Sequence, residues 1–190
     1  MFIATFNKII GSSLKYIKCV SNFHRITAIL SAIALLVIGT QISLPLRPVP
    51  ITMQSLAVLF IGIFYSRCHA YSAVIVYLLM GMMGIPVFAN FGSGISYVMG
   101  PTGGFLIGFL VALYPMSWYK TYLSDIITVH SALLLCLMGS LAMLGCGYLW
   151  LMQFIGAYKA FHLGIKPFIV GEIAKWLLLI AITRIKKSSI

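Results

Sequence analysis

Acidic side chains are nearly missing: in 190 residues only Asp125 and Glu172 carry a carboxylate. Charged residues of both signs make up 8% of the chain and hydrophobic ones 62%, whereas an average soluble domain is about 25% charged. A domain of this size leaves much of its surface facing solvent, so the scarcity of charge excludes water as that solvent and points to a bilayer. The four cysteines, Cys19, Cys68, Cys136 and Cys146, form no C-x-x-C pair and have no histidine at ligand spacing, which argues against a metal site. No G-x-x-x-x-G-K-[ST] occurs, so no nucleotide hydrolysis and no cofactor are expected within this chain. The four histidines are scattered and no second acid lies near Glu172. Without a nucleophile, base and orienter set, an enzyme is not supported.

What is present is basic charge and apolar length. The net charge is +11, but the basic residues lie at the ends of apolar segments instead of forming a stripe interleaved with aromatics. That pattern serves membrane topology, and nucleic acid is not an expected partner. Residues 1–24 carry Lys8, Lys15 and Lys18 without a continuous apolar run or a small-residue cleavage site. They read as a cytoplasmic or interfacial segment, with the first apolar helix as an uncleaved insertion signal. The remainder, 25–187, reads as one domain of six transmembrane helices, an all-α membrane protein. The spans are expected at 26–44, 52–65, 70–85, 102–118, 126–152 and 168–185, from the roughly 20-residue requirement and the helix-stopping prolines. A charged turn is expected at 66–69 and a loop at 153–167. With the N-terminus inside, nine basic residues fall inside (Lys8, Lys15, Lys18, Arg25, Arg67, Lys120, Arg184, Lys186, Lys187) and three outside (Arg47, Lys159, Lys166). Both termini are therefore expected to be cytoplasmic.

Four features carry chemistry. Glu172 and Lys175 are three residues apart on one helix face, and ionisable groups in a span usually face a cavity or a partner. They make either a ligand site or an internal ion pair that holds helices together. Pro48-Val49-Pro50-Ile51-Thr52-Met53-Gln54 stiffens an outer loop and delivers Thr52 and Gln54 to the start of a helix, where Thr52 is also an acceptable N-cap. Residues 86–101, rich in glycine and aromatics, are too broken to span, and irregular backbone at membrane depth survives only when buried in protein or lining a cavity. This makes Asn90 and Tyr97 site candidates. Gly100, Gly104 and Gly108 recur every four residues, a smooth face for close packing. Ala28 and Ala32 form a small-x-x-x-small face, suited either to packing within the bundle or to docking a partner.

Together these segments resemble the BioY family, the biotin-specific substrate-binding subunits (S components) of energy-coupling-factor (ECF) transporters. The residues that carry the resemblance are 48–54, Gly84-Ile85-Pro86-Val87-Phe88-Ala89, Gly100-Pro101-Thr102-Gly103-Gly104-Phe105 with its continuation to Phe109, and Lys166-Pro167-Phe168-Ile169-Val170-Gly171-Glu172-Ile173-Ala174-Lys175, in order between about residues 28 and 182. The resemblance implies an S-component-like bundle in a bacterial inner membrane that binds biotin through Thr52, Gln54, Asn90, Tyr97, Glu172 and Lys175. In that reading Glu172 accepts from the ureido N–H groups, Lys175 donates to the ureido oxygen, and Arg47 is the nearest outer cation to the carboxylate. Glu172 stands where the family usually has Asp, one methylene further out. The implied partners are a coupling transmembrane subunit, docked on Ala28 and Ala32, and two ATPase subunits that use ATP. An S component for another vitamin and a solitary biotin transporter are the alternatives.

Overall fold

The prolines and glycines that interrupt the apolar runs divide the chain into helices. The computed structural model describes residues 22–123 and 127–188. Most of the N-terminal segment expected over 1–24, and Asp125, lie outside the described residues. Among these residues six helices of eleven residues or more build the molecule: α1 (Asn22–Gln41), α2 (Gln54–Phe64), α3 (Arg67–Met82), α4 (Gly103–Lys120), α5 (Val129–Ile155) and α6 (Lys166–Ser188). Between α1 and α2 the chain turns through a two-stranded antiparallel ribbon, β1 (Ser43–Leu44) and β2 (Ile51–Thr52), in which Ser43 faces Thr52 and Leu44 faces Ile51. The ribbon takes the end of the span expected to reach residue 44.

Two expectations need correction. The charged stretch 66–69 is not a turn between spans but the first turn of α3, because the Ser66 side chain caps the helix by accepting from the His69 backbone N–H at 3.5 Å. The expected loop at 153–167 is mostly helical. α5 runs on to Ile155, Gly156 breaks it at φ 78°, and a helical turn (Ala157–Lys159) and a π-helical turn (Ala160–Ile165) lead into α6. Pro167 is the second residue of α6 and follows the π-helical turn without a break, so the change of helical winding falls where the proline removes a backbone donor.

α4 and α5 form the most extensive helix pair. The reason is steric. A Cβ on Gly104 would lie 2.2 Å from the Trp150 Cβ, and one on Gly108 would lie 3.0 Å from the Met143 backbone. Small residues let the two backbones approach this closely. Gly100 lies outside α4, and its carbonyl accepts from Trp150 Nε1 at 3.0 Å. The central core gathers Leu36, Val58, Leu59, Tyr77, Leu113 and Leu135, all fully buried. The exterior is apolar as well: Leu30, Leu141, Val170 and Leu177 are each more than half exposed. A surface of that kind matches an apolar solvent. α1, over His24–Gln41, and α5 are each long and apolar enough to cross a bilayer, while α2 is apolar but short.

The segment 86–101 is irregular but not loose. Phe88 and Gly92 pair in an isolated bridge around a 3-10 turn (Ala89–Phe91). Phe88 lies edge-on to Tyr77 at 5.6 Å and stacked with Tyr97 at 4.9 Å. Its carbonyl accepts from Gln41 Nε2, and the Gly94 N–H donates to the Gly81 carbonyl at 2.7 Å. Non-helical backbone is thus satisfied inside the protein, as membrane depth requires.

Candidate functional site

On α6 the buried positions Glu172, Lys175 and Leu179 follow the three- and four-residue spacing of one helix face. Glu172 is 3% exposed and Lys175 4%, and they form an ion pair of 2.9 Å. The pair is embedded in further bonds from three other elements. Ser55, in the first turn of α2, donates its hydroxyl to Glu172 Oε1 at 2.5 Å. Ser140 of α5 donates to Glu172 Oε2 at 2.6 Å and itself accepts from Trp176 Nε1 at 2.9 Å. Lys175 Nζ also donates to Ser55 Oγ at 2.6 Å and to the Thr52 carbonyl at 3.0 Å. An ammonium has three N–H donors, so those of Lys175 are fully used inside the protein. A carboxylate offers about four acceptor sites. Three on Glu172 are taken, and capacity remains on Oε2.

Glu172 forms part of the wall of a cavity of about 50 Å3. The ribbon supplies Val49, Pro50 and Thr52 to that wall, and α2 supplies Gln54 and Ser55. Two stacked aromatic pairs border it: Phe88 with Tyr97, and Phe105 with Phe168, whose rings are 5.4 Å apart. The result is a mostly apolar chamber with one charged, hydrogen-bonded corner, the usual composition of a small-molecule site.

The candidate residues from the sequence divide as follows. Thr52, Gln54, Tyr97 and Glu172 line the cavity. Thr52 does not cap α2 as the helix's N-cap residue; from the strand its Oγ1 accepts from the Gln54 N–H at 3.3 Å. Lys175 stands behind Glu172, with its donors turned to protein acceptors and not to the cavity. Asn90 is exposed, in left-handed backbone at φ 56°, and its side chain accepts from Ser43 Oγ at 3.4 Å, outside the cavity wall. Arg47 is exposed on the ribbon's hairpin. Ala28 is half-buried, but Ala32 is fully buried in the chain's own core. Ala32 therefore serves packing within the bundle, and the expected two-alanine docking face is corrected at that residue.

The matched family model, the BioY family, covers residues 12–189. The chain belongs to the BioY family. It is 38% identical over 143 residues to a probable biotin transporter BioY of Pyrococcus horikoshii, covering 75% of this chain and 83% of that one. It is 36% identical over 166 residues to biotin transporter BioY2 of Lactococcus lactis, covering 83% and 87%. The crystal structure of an S-component for biotin from an ECF-type ABC transporter superposes with a TM-score of 0.76 at 21% identity, over 90% of this chain and 95% of that one. The fold of that S-component is thus the fold found here, and a membrane protein that is not an enzyme follows from the family.

Sequence reasoning missed Ser55 and Ser140, which hold the carboxylate of this BioY chain in place. Each carried a signal. Ser140 is a polar residue in the middle of the longest apolar helix, where a hydroxyl commonly bonds across helices. Ser55 directly follows the Thr52–Gln54 motif. The aromatic pairs were hidden because Phe88 and Tyr97, or Phe105 and Phe168, meet only through tertiary packing.

Proposed function

We propose that this chain is the biotin-binding S component of an ECF-type uptake transporter in a bacterial inner membrane. It spans the membrane with six helices and has both termini in the cytoplasm. It delivers biotin inward together with a coupling transmembrane subunit and two ATPase subunits. The observation that carries the reading is the buried Glu172 carboxylate, held by Ser55, Ser140 and Lys175 with acceptor capacity left toward an apolar cavity. Biotin supplies the complement: ureido N–H donors for Glu172 and an apolar thiophane and valeryl chain for the aromatic pairs. The names of the relatives, biotin transporters, agree with that chemistry.

The test is equilibrium binding of labelled biotin and labelled riboflavin to the purified protein in detergent. Saturable binding of biotin alone is expected; binding of riboflavin alone, or of neither, overturns the reading. For topology, a Tyr158→Cys variant, at a residue 77% exposed, is expected to react with a membrane-impermeant thiol reagent in intact cells, and Ser188→Cys is not.

A further inference from the structure

Three exposed cations stand close to the cavity: Arg47 on the ribbon's hairpin, and Lys159 and Lys166 on the helical path from α5 into α6. Packing brings these two stretches together, because Val49, Ala160 and Phe168 are buried in one apolar cluster. Arg47 is two residues from Val49, Lys159 is next to Ala160, and Lys166 is two residues from Phe168. Val49 and Phe168 are also wall residues of the cavity. At no more than about 3.6 Å per residue, the backbones of Arg47 and Lys166 lie within about 7 Å of that wall. Glu172 is the only acid among the described residues, and Lys175 balances it at 2.9 Å. A ligand therefore meets a neutral pair inside the site and three uncompensated positive charges beside it. These charges are set among the exposed apolar side chains of Leu46, Tyr158 and Phe161. Charge of one sign on low-dielectric walls focuses a field and raises the local concentration of the opposite ion.

We infer that Arg47, Lys159 and Lys166 form an electrostatic guide that draws a carboxylate ligand to the cavity and acts on its rate of arrival. The inference rests on the biotin reading and deepens it. With the ureido group at Glu172, the carboxylate at the end of the valeryl chain is the charge on which the guide pulls. The guide thereby favours the free acid over its esters. Exposed charge at the rim of a site changes association and its salt dependence, whereas a buried charged bond governs release. The polar corner around Glu172 holds the ligand, and the three cations recruit it.

The test compares biotin with biotin methyl ester, which carries no charge. Association and dissociation rate constants are measured on the purified protein in a neutral detergent, with ligand in excess. The two salt conditions are about 0.01 M, where the Debye length is about 30 Å, and about 1 M, where it is about 3 Å. The association rate of biotin is expected to fall about fivefold from low to high salt, and that of the ester by less than about twofold. In the triple variant Arg47→Gln, Lys159→Gln, Lys166→Gln, biotin is expected to associate at low salt no faster than the ester, with its dissociation rate kept within about twofold. The charge-keeping variant Arg47→Lys, Lys159→Arg, Lys166→Arg is expected to retain the wild-type rate and its salt dependence. Where the ester does not bind, biotin association in the wild type is compared with that in the Gln variant. A biotin rate that salt leaves unchanged in the wild type overturns the guide while the biotin reading stands. So does a Gln variant that keeps the salt dependence, or one that changes dissociation alone. If the wild type binds neither ligand, both readings fall.

Discussion

The two ends of α2 each meet a lysine, a buried one at the N-terminal end and a half-buried one at the C-terminal end, and they treat it in opposite ways. At the N-terminal end Lys175 reaches the Thr52 carbonyl and Ser55, and it does so beside Glu172. At the C-terminal end Lys120 donates to the carbonyls of Gly62 at 3.0 Å and Tyr65 at 2.8 Å, with backbone oxygens alone as its recorded acceptors. The helix dipole explains the difference. The C-terminus of a helix carries partial negative charge and welcomes a cation, while the N-terminus favours an anion. Lys120 therefore suits its end by itself, and it satisfies carbonyls that a helix end leaves open. Lys175 opposes its end and is tolerable there only because Glu172 accompanies it. One lysine closes a helix; the other belongs to a site.

The largest effect is expected from separating the pair at the N-terminal end. Glu172→Gln leaves the Lys175 charge buried without a counter-charge, which costs about 3–5 kcal/mol, and biotin binding falls by at least about tenfold. Adding Lys175→Met is expected to return most of the stability and none of the binding. Thermal unfolding in detergent and biotin titration on both proteins check this. A double variant no more stable than Glu172→Gln would show that charge balance does not govern this end.

A smaller effect is expected at the other end. Lys120→Met uncovers two carbonyls and should lower stability by about 1–3 kcal/mol. Biotin affinity should stay within about twofold, because distant sites act independently. A large loss of affinity would mean that the two ends of α2 are coupled.

The smallest effect is expected at Ala28, on the stretch of α1 that Ser31 ties to this second end through a 3.0 Å bond with the Tyr65 hydroxyl. Ala32→Leu overpacks the core and should cost about 1–3 kcal/mol, whereas Ala28→Leu, at a half-buried position, should change stability by less than about 0.5 kcal/mol. Co-purification with the coupling and ATPase subunits proposed above then tests the docking surface. Loss of assembly in Ala28→Leu, with biotin binding intact, places it at this end; retained assembly moves it elsewhere.

Much of this arrangement was legible in the sequence where it depends on neighbours along the chain. Three-residue spacing alone put Glu172 and Lys175 on one face, and prolines and glycines marked 86–101 as irregular. What depends on distant partners was not legible. The donors of Lys175 are used up by Thr52 and Ser55, more than a hundred residues away, so its apparent availability to a ligand disappears only in three dimensions. Ala32 looked equally fit for an inner or an outer contact until the packing of α1 decided it. The helical path through 157–165 was obscured by Lys159, His162 and Lys166, which read as loop residues although a helix can carry them on its exposed side.

The bond from Lys175 to the Thr52 carbonyl has a consequence for rates. That carbonyl belongs to β2, so the amine that orients Glu172 also latches the ribbon over the cavity. If the ligand enters past the ribbon, it does so only while the latch is open. Association is then slower than diffusion allows, as for any site that must rearrange before it is filled. Release waits on the same event. A weakened latch would speed both arrival and departure, and residence time would change more than affinity.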